Sequence, residues 1–188
     1  MPFVAIVLLV VATVIAGWQI VSQGWRSQFV SPSFRGLGLP LFGLGLQFLA
    51  LHWAEGWERI VPFILSDVML LAFLGANWKH RSLRILALGF GLNRIPILAN
   101  GGYMPITPQV MAQLHCGTAP TDWTVGLVRA GSKDIVLPAS EAALWFLGDV
   151  FVLGSPFPIP VAFSLGDVVL LVGLAWGIYR LVSMSQSQ

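Results

Sequence analysis

Long apolar segments sort the charged residues of this chain onto two sides. The segments run Phe3–Val21, Gly36–Trp53, Val61–Trp78, Leu83–Ala99 and Val161–Leu181. At a helical rise of about 1.5 Å per residue, each approaches the roughly 30 Å of a hydrocarbon core. Threaded alternately, they place Arg26, Arg35, Lys79, Arg81, Arg84 and Arg180 on one side, with no Asp or Glu. Glu55, Glu58, Asp122, Asp134, Glu141 and Asp149 fall on the other, against Arg59, Arg129 and Lys133. Because Lys and Arg are retained on the cytoplasmic face, the first side reads as the cytoplasm. The expectation is an all-α integral membrane protein with five transmembrane helices, N-terminus out and C-terminus in. It forms a single membrane domain over residues 1–188, with one long extracytoplasmic loop at 100–160.

Composition decides between this reading and a soluble core. Only 10% of the 188 residues are charged and 56% are hydrophobic, whereas soluble domains carry roughly 25% charged residues. Phe3–Val21 lacks the polar stripe of a soluble helix. It also lacks a basic n-region and exceeds the usual apolar core of a signal peptide, so it reads as a retained anchor. A net charge of +2, spread over separate loops, gives no basic patch for nucleic acid. Trp25, Trp53, Trp57 and Trp78 fall at span ends, as expected of a belt at the headgroups. Cys116 is the single cysteine, so it reads as a free thiol.

Small residues point to close helix packing. Gly36, Gly38, Gly43 and Gly45 mark the second segment, while Ala87/Gly91 and Gly173/Gly177 are spaced four apart in the fourth and fifth. Gly89-Phe90-Gly91 argues for packing rather than for a nucleotide-binding turn. In the outer loop, Pro105, Pro108 and Pro120 forbid a long helix. Thr124–Val128 and Asp134–Leu137 flank Ala130-Gly131-Ser132 and suggest a short β-hairpin. Ala142–Leu153 is too short to span and reads as an interfacial or re-entrant helix.

Few residues can carry chemistry. Arg94 lies just inside the outer end of the fourth segment, where an unpaired charge costs up to about 2.5–3.5 kcal/mol. Asp67 lies at comparable depth and Asp167 begins the last span near the same level. An Arg94–Asp67 pair is expected, with Asn93 and Asn100 nearby, serving as a structural lock or as an anion or proton site; snorkelling of Arg94 to the headgroups is the third possibility. Pro62–Leu71, with Ser66-Asp67, echoes Pro160–Leu171, with Ser164 and Asp167. Ser164 and Asp167 have capping-box spacing, and Ser66-Asp67 suggests a similar cap in a shorter frame. His52, beside Trp53, is the candidate ligand for haem or a chlorophyll magnesium, although a second intramembrane His is missing from the sequence. Glu55 and Glu58 read as a solvated loop. No metal constellation, nucleophile elbow or phosphate loop occurs in the sequence.

Asn100-Gly101-Gly102-Tyr103-Met104-Pro105, taken with Leu147-Gly148-Asp149 and Ser164-Leu165-Gly166-Asp167, resembles an uncharacterised family of small bacterial integral membrane proteins, a domain of unknown function with N-G-G-x-M-P, L-G-D and S-x-G-D motifs. The resemblance runs from the third segment to the end and includes Asn77. It implies a multi-pass protein of the bacterial cytoplasmic membrane and supplies no activity. Arg94 departs from the apolar or amide residue usual at its place. Physically, Asn100-Gly101-Gly102 is a helix stop followed by Pro105, and the loop, with Asp149 and Asp167, forms the candidate outer site.

The leading functional expectation is a non-catalytic accessory subunit of a larger bacterial membrane complex, partnered by lipid and by other membrane subunits. One rival is a small transporter or channel using Arg94, Asp67 and Asp167. Another is a subunit binding pigment, haem or quinone through His52.

Overall fold

The computed structural model describes residues 34–53, 60–129, 131–154 and 160–185, with the side chains of 51–53, 60 and 181–185 excepted. The expected first span, Phe3–Val21, lies outside the described residues, as do Trp25, Trp57, Glu55, Glu58 and Arg59. So does the side chain of His52.

Among the described residues four long helices carry the fold. They are α1 (Gly38–Trp53), α2 (Ile60–Ala76), α3 (Arg81–Ala99) and α5 (Leu165–Ser185), with a short α4 (Pro108–Leu114) between the last two. Strands β1 (Met104–Ile106) and β2 (Asp134–Val136) pair in parallel, Met104 opposite Asp134. Strands β3 (Phe151–Leu153) and β4 (Val161–Phe163) pair antiparallel, Phe151 opposite Phe163. The five-span all-α expectation is therefore overturned. Among the described residues one helix, α3, is long and apolar enough to cross a membrane, while Gly38–Ala50 and Val61–Ala76 are shorter apolar stretches. Apolar runs overstated the helices because the chain spends their first residues otherwise: Gly36 turns at φ +72°, and Val161–Phe163 pairs as a strand.

The helices pack in two couples, α1 on α2 and α3 on α5. Glycine sets the second crossing. A Cβ on Gly89 would stand 2.7 Å from the Leu170 amide nitrogen, and one on Gly173 would stand 2.9 Å from that of Leu86. Both are backbone contacts that no side-chain rotation relieves. Of the expected small-residue pairs, Gly173/Gly177 does face α3, whereas Gly91 has nothing within 4 Å; the neighbouring Gly89 makes the contact. On the other couple Gly43 lies over Ser66, and Gln47 Nε2 donates to Ser66 Oγ at 2.7 Å. Ser66 is thus a mid-helix contact of α2, not a cap.

Residues 100–129, 131–154 and 160–163 form a cap over one end of the helices. Helix α3 stops where Asn100-Gly-Gly suggests: Gly101 and Gly102 have φ of +68° and +94°, and the Gly102 N–H donates to the Ile97 carbonyl at 2.8 Å. This bond, spanning the last turn, is the Schellman arrangement, which left-handed residues after a helix permit. Thr107 then starts α4 by accepting from the Val110 N–H at 3.3 Å, with Pro108 in the first turn, where its missing N–H costs nothing. Ile106, Val110, Met111, Leu114 and Val136 make the cap's own buried core. The expected hairpin forms in part: Val128 bridges Ile135 antiparallel, the Gly126 and Arg129 N–H groups donate to the Val136 and Asp134 carbonyls and the Val136 N–H to the Leu127 carbonyl, while the other edge of β2 pairs with β1.

Nor is Ala142–Leu153 an interfacial helix. It holds a single 3-10 turn at Trp145–Leu147, preceded by Leu144 at φ +54°, and then β3. Gly148 ends the turn because its backbone lies on the Pro105 carbonyl, where an added Cβ would overlap. The Asp149 N–H donates to that same carbonyl at 3.1 Å.

Candidate functional site

Where the cap meets the helices, two polar groups lie side by side on α3. Arg94 and Asp67, paired from sequence, are in contact: Nη2 lies 2.5 Å from Oδ1, with the side chains only 12% and 22% exposed. The guanidinium also lies over the Phe90 ring, 5.2 Å from its centroid. Its Nε–H is buried with no hydrogen-bond acceptor among the described residues. Asp167 does not join this pair. Lys133 does approach it: the side chain is buried on the Phe63 ring, with Nζ 4.1 Å from the centroid.

The second group joins α3 to the start of α5. Asn93 Nδ2 donates to Asp167 Oδ1 at 2.8 Å, and the Ser164 hydroxyl donates to Asn93 Oδ1 at 2.6 Å. The expected capping box closes it, with the Ser164 N–H donating to Asp167 Oδ2 at 3.0 Å and the Asp167 N–H to Ser164 Oγ at 3.1 Å. All three side chains are buried. Gly166 is required beneath them, because a Cβ there would overlap the Asn93 amide. Such a closed network meets the demand that buried polar groups find partners. The box was legible from Ser164-x-x-Asp167; the bond to Asn93 was not, since no local pattern ties α3 to α5.

The remaining candidates hold the cap in place. Asn100 forms a two-way amide pairing with the loop: Nδ2 donates to the Ala143 carbonyl at 2.8 Å and Oδ1 accepts from the Ala143 N–H at 2.9 Å. Met104 and Pro105 are buried in β1, and the Met104 N–H donates to the Lys133 carbonyl at 2.8 Å. Gly101 and Gly102 stay exposed at the rim. Asp149 is buried near Asp134 and Asp167; burial pushes its carboxyl well above the usual range, and the two neighbouring carboxylates push the same way. Asp134 itself pairs with Arg129 at 3.3 Å. Sequence reasoning missed a further anchor at the opposite end. Buried Asn77 accepts from the Arg35 N–H at 2.9 Å and donates to the Arg35 and Phe73 carbonyls, each at 2.8 Å. Its place after an apolar run and within the family resemblance were the signals, and neither named its partner.

Among the described residues, cavities follow α3 from end to end. One of about 160 Å³ lies beside Arg94, Asp67 and Lys133. A second, of about 230 Å³, lies below Arg94 and is edged by Gln47, Ser66 and Asn93. The third, of about 490 Å³, opens among Lys79, Arg81 and Arg180. Among the described residues no cluster of His, Cys, Asp and Glu is arranged to hold a metal.

These features define a class: helices joined through glycine seams, one of them of membrane-crossing length, under a small β-containing cap secured by buried amides and carboxylates. The chain belongs to a family of unknown function (DUF5317), whose pattern matches residues 33–179. The match takes in α1, farther toward the N-terminus than the motifs had suggested. No curated protein and no solved structure matches the chain.

Proposed function

We propose that the chain is a non-catalytic integral protein of the bacterial cytoplasmic membrane, an accessory component that acts by binding inside a larger membrane assembly. The observation carrying this reading is the apolar surface of the helices. Leu41, Phe42, Val61 and Leu98 are 70%, 61%, 63% and 76% exposed, and Leu71, Leu88 and Val172 lie open as well. Soluble monomers rarely expose contiguous patches beyond a few hundred Å². A soluble core helix would be mostly covered, but only 28% of the apolar window of α3 is buried. Lipid and neighbouring subunits are the partners this surface suits.

The test has two stages. Isolated membranes are washed with carbonate, and the protein is expected to stay in the pellet until detergent is added; release by carbonate refutes the membrane reading. Purification in mild detergent is then expected to retain a stoichiometric partner, and a lone monodisperse monomer refutes the accessory role.

A transport reading is favoured by one specific observation, the cavities in file along α3. The first two share Arg94, and the second and third share Leu86 and Leu174. In this reading the Arg94–Asp67 pair closes an ion path, while Asp167, tied to Asn93, lines none of the three cavities. Arg94→Leu combined with Asp67→Leu, which leaves no lone buried charge, is expected to alter ion flux in proteoliposomes without loss of assembly; unchanged flux removes the transport reading. The haem, pigment or quinone reading rests on a His52 side chain outside the described residues and is not carried forward.

A further inference from the structure

We propose that the cavity at the end of the helices away from the cap binds a phosphate-ester anion, and that the ester is the head of an anionic phospholipid. This rests on the membrane reading above. The cavity has a volume of about 490 Å³, and its lining includes Lys79 from the turn before α3, Arg81 from the first turn of α3 and Arg180 from the far part of α5. Charge is the first argument. The sequence has no Asp or Glu in residues 1–54, 68–121 or 168–188, so each of these cations is far along the chain from any acidic side chain. Among the described residues none of the three forms an ion pair. All three are exposed, and basic pockets between membrane helices take anionic lipid heads by this attraction.

The backbone adds to the same field. Helix α3 begins at Arg81 with no acidic residue in its first turn and no side-chain cap from His80. The positive end of its dipole therefore stands beside the three cations without a carboxylate to offset it.

The wall selects a lipid over a soluble anion. Farther along the helices from the cations the lining turns apolar, with Leu83 and Leu86 of α3 and Leu174 of α5. Behind it the α3–α5 seam is closed, since Gly173 lies on Leu86 and Gly177 on Ser82. Phe34 bounds another side, 4.9 Å from the His80 ring and 6.3 Å from that of Phe73 on α2. Trp176, also in the lining, is 48% exposed, as suits an indole at the headgroup level. Inorganic phosphate would use the cations alone, whereas an acyl chain also covers Leu86 and Leu174. The volume falls within the roughly 300–1,000 Å³ of ligand sites, enough for a head group and its first carbons.

The experiment uses the full chain in a neutral detergent, with thermal unfolding followed during titration with dioleoyl phosphatidylglycerol, dioleoyl phosphatidylcholine or inorganic phosphate. A ligand of the native state stabilises it by an amount that grows with the logarithm of concentration over Kd, so binding shows as a rising Tm. Phosphatidylglycerol is expected to raise Tm at concentrations at least tenfold below those at which phosphatidylcholine does. Inorganic phosphate matching phosphatidylglycerol supports the phosphate site and overturns its lipid assignment. Arg81→Gln is expected to shift the phosphatidylglycerol response to about fivefold higher concentration, the share of one basic residue at an anionic surface. Arg84→Gln removes the same charge from an exposed side chain of α3 outside the cavity lining, and is expected to respond as wild type does. The double variant Lys79→Gln, Arg180→Gln is expected to abolish the preference between the lipids, and its exposed positions spare the fold. Equal responses to both lipids in the wild type, a preference unchanged in the double variant, or equal losses in Arg81→Gln and Arg84→Gln overturn the proposal. The two readings fail differently: release by the carbonate wash sinks the membrane reading, whereas a membrane protein indifferent to head-group charge fails only this one.

Discussion

Replacing Gly89 by Ala tests whether the α3–α5 seam holds the helices together. The new methyl would meet the Leu170 amide nitrogen at 2.7 Å, the Gly166 carbonyl oxygen at 2.9 Å and Leu170 Cγ at 2.9 Å. Ordinary contact lies at about 3.5–4.0 Å, so the helices must part locally by about 1 Å. Overpacking of this kind costs about 1–3 kcal/mol. Against it, exchanging Gly for Ala inside a helix contributes about 1 kcal/mol of propensity. The control lies two residues away: Gly91 has nothing within 4 Å, so Gly91→Ala keeps the propensity gain without the clash. The difference between the variants cancels propensity and leaves about 1–3 kcal/mol, worth about 2–4 °C of Tm per kcal/mol in a chain of this size. The assay is thermal unfolding of both variants in one detergent. Gly89→Ala is expected to melt below wild type or near it, and Gly91→Ala above it. Equal melting temperatures for the two variants would refute the seam.

Further perturbations address the polar groups. Ser164→Ala removes the cap of α5 and strands the Asn93 oxygen, and is expected to cost about 1–3 kcal/mol by thermal or denaturant unfolding; a neutral outcome contradicts the network. Asn77→Ala is expected to cost a similar about 1–3 kcal/mol by leaving the Arg35 backbone unpaired, with faster proteolysis near residue 35 as the second readout. Arg94→Leu leaves Asp67 without its partner, and breaking a buried pair costs about 3–5 kcal/mol; adding Asp67→Leu is expected to recover most of it, which a double-mutant cycle measures. For Asp149 the folded carboxyl keeps its proton above the unfolded value of about 3.9. Its contribution is fully present below that pH and is lost as pH rises toward the folded value, by up to about 1.4 kcal/mol per unit. Asp149→Asn is expected to flatten this slope, and an unchanged slope excludes Asp149 as its source.

What the sequence made legible was local. The ends of α1, α2 and α3 fall within a few residues of the apolar runs, because side-chain hydrophobicity and helix length act together over a single segment. Asn100-Gly101-Gly102 announced the end of α3 through backbone freedom, and Ser164-x-x-Asp167 announced the start of α5 through hydrogen-bond reach. Arg94 and Asp67 were paired by depth alone, since each needed an opposite charge. The elements that went unread depend on distant partners. Strands of three residues, such as Met104–Ile106, are too short to show alternation, and their pairing with Asp134–Val136 obeys the cap's core rather than any local turn. Helix α4 hid behind Pro105 and Pro108, although Thr107-Pro108 is itself a helix start. The spans were overcounted because hydrophobicity does not distinguish a half-buried strand such as Val161–Phe163 from the first turn of a membrane helix.

The Ser164 hydroxyl carries one proton and has two oxygens within reach, Asn93 Oδ1 at 2.6 Å and Asp167 Oδ2 at 3.0 Å. Whichever oxygen receives it, the other must rely on the remaining members of the trio. A lineage that altered one of these positions alone would inherit an orphaned polar atom between two helices packed through glycine. Divergence at these three positions should therefore arrive in concert, as a swap of the whole knot for an apolar plug, while Gly166 stays fixed even then, because the Gly89 carbonyl oxygen also stands 2.9 Å from where its Cβ would be.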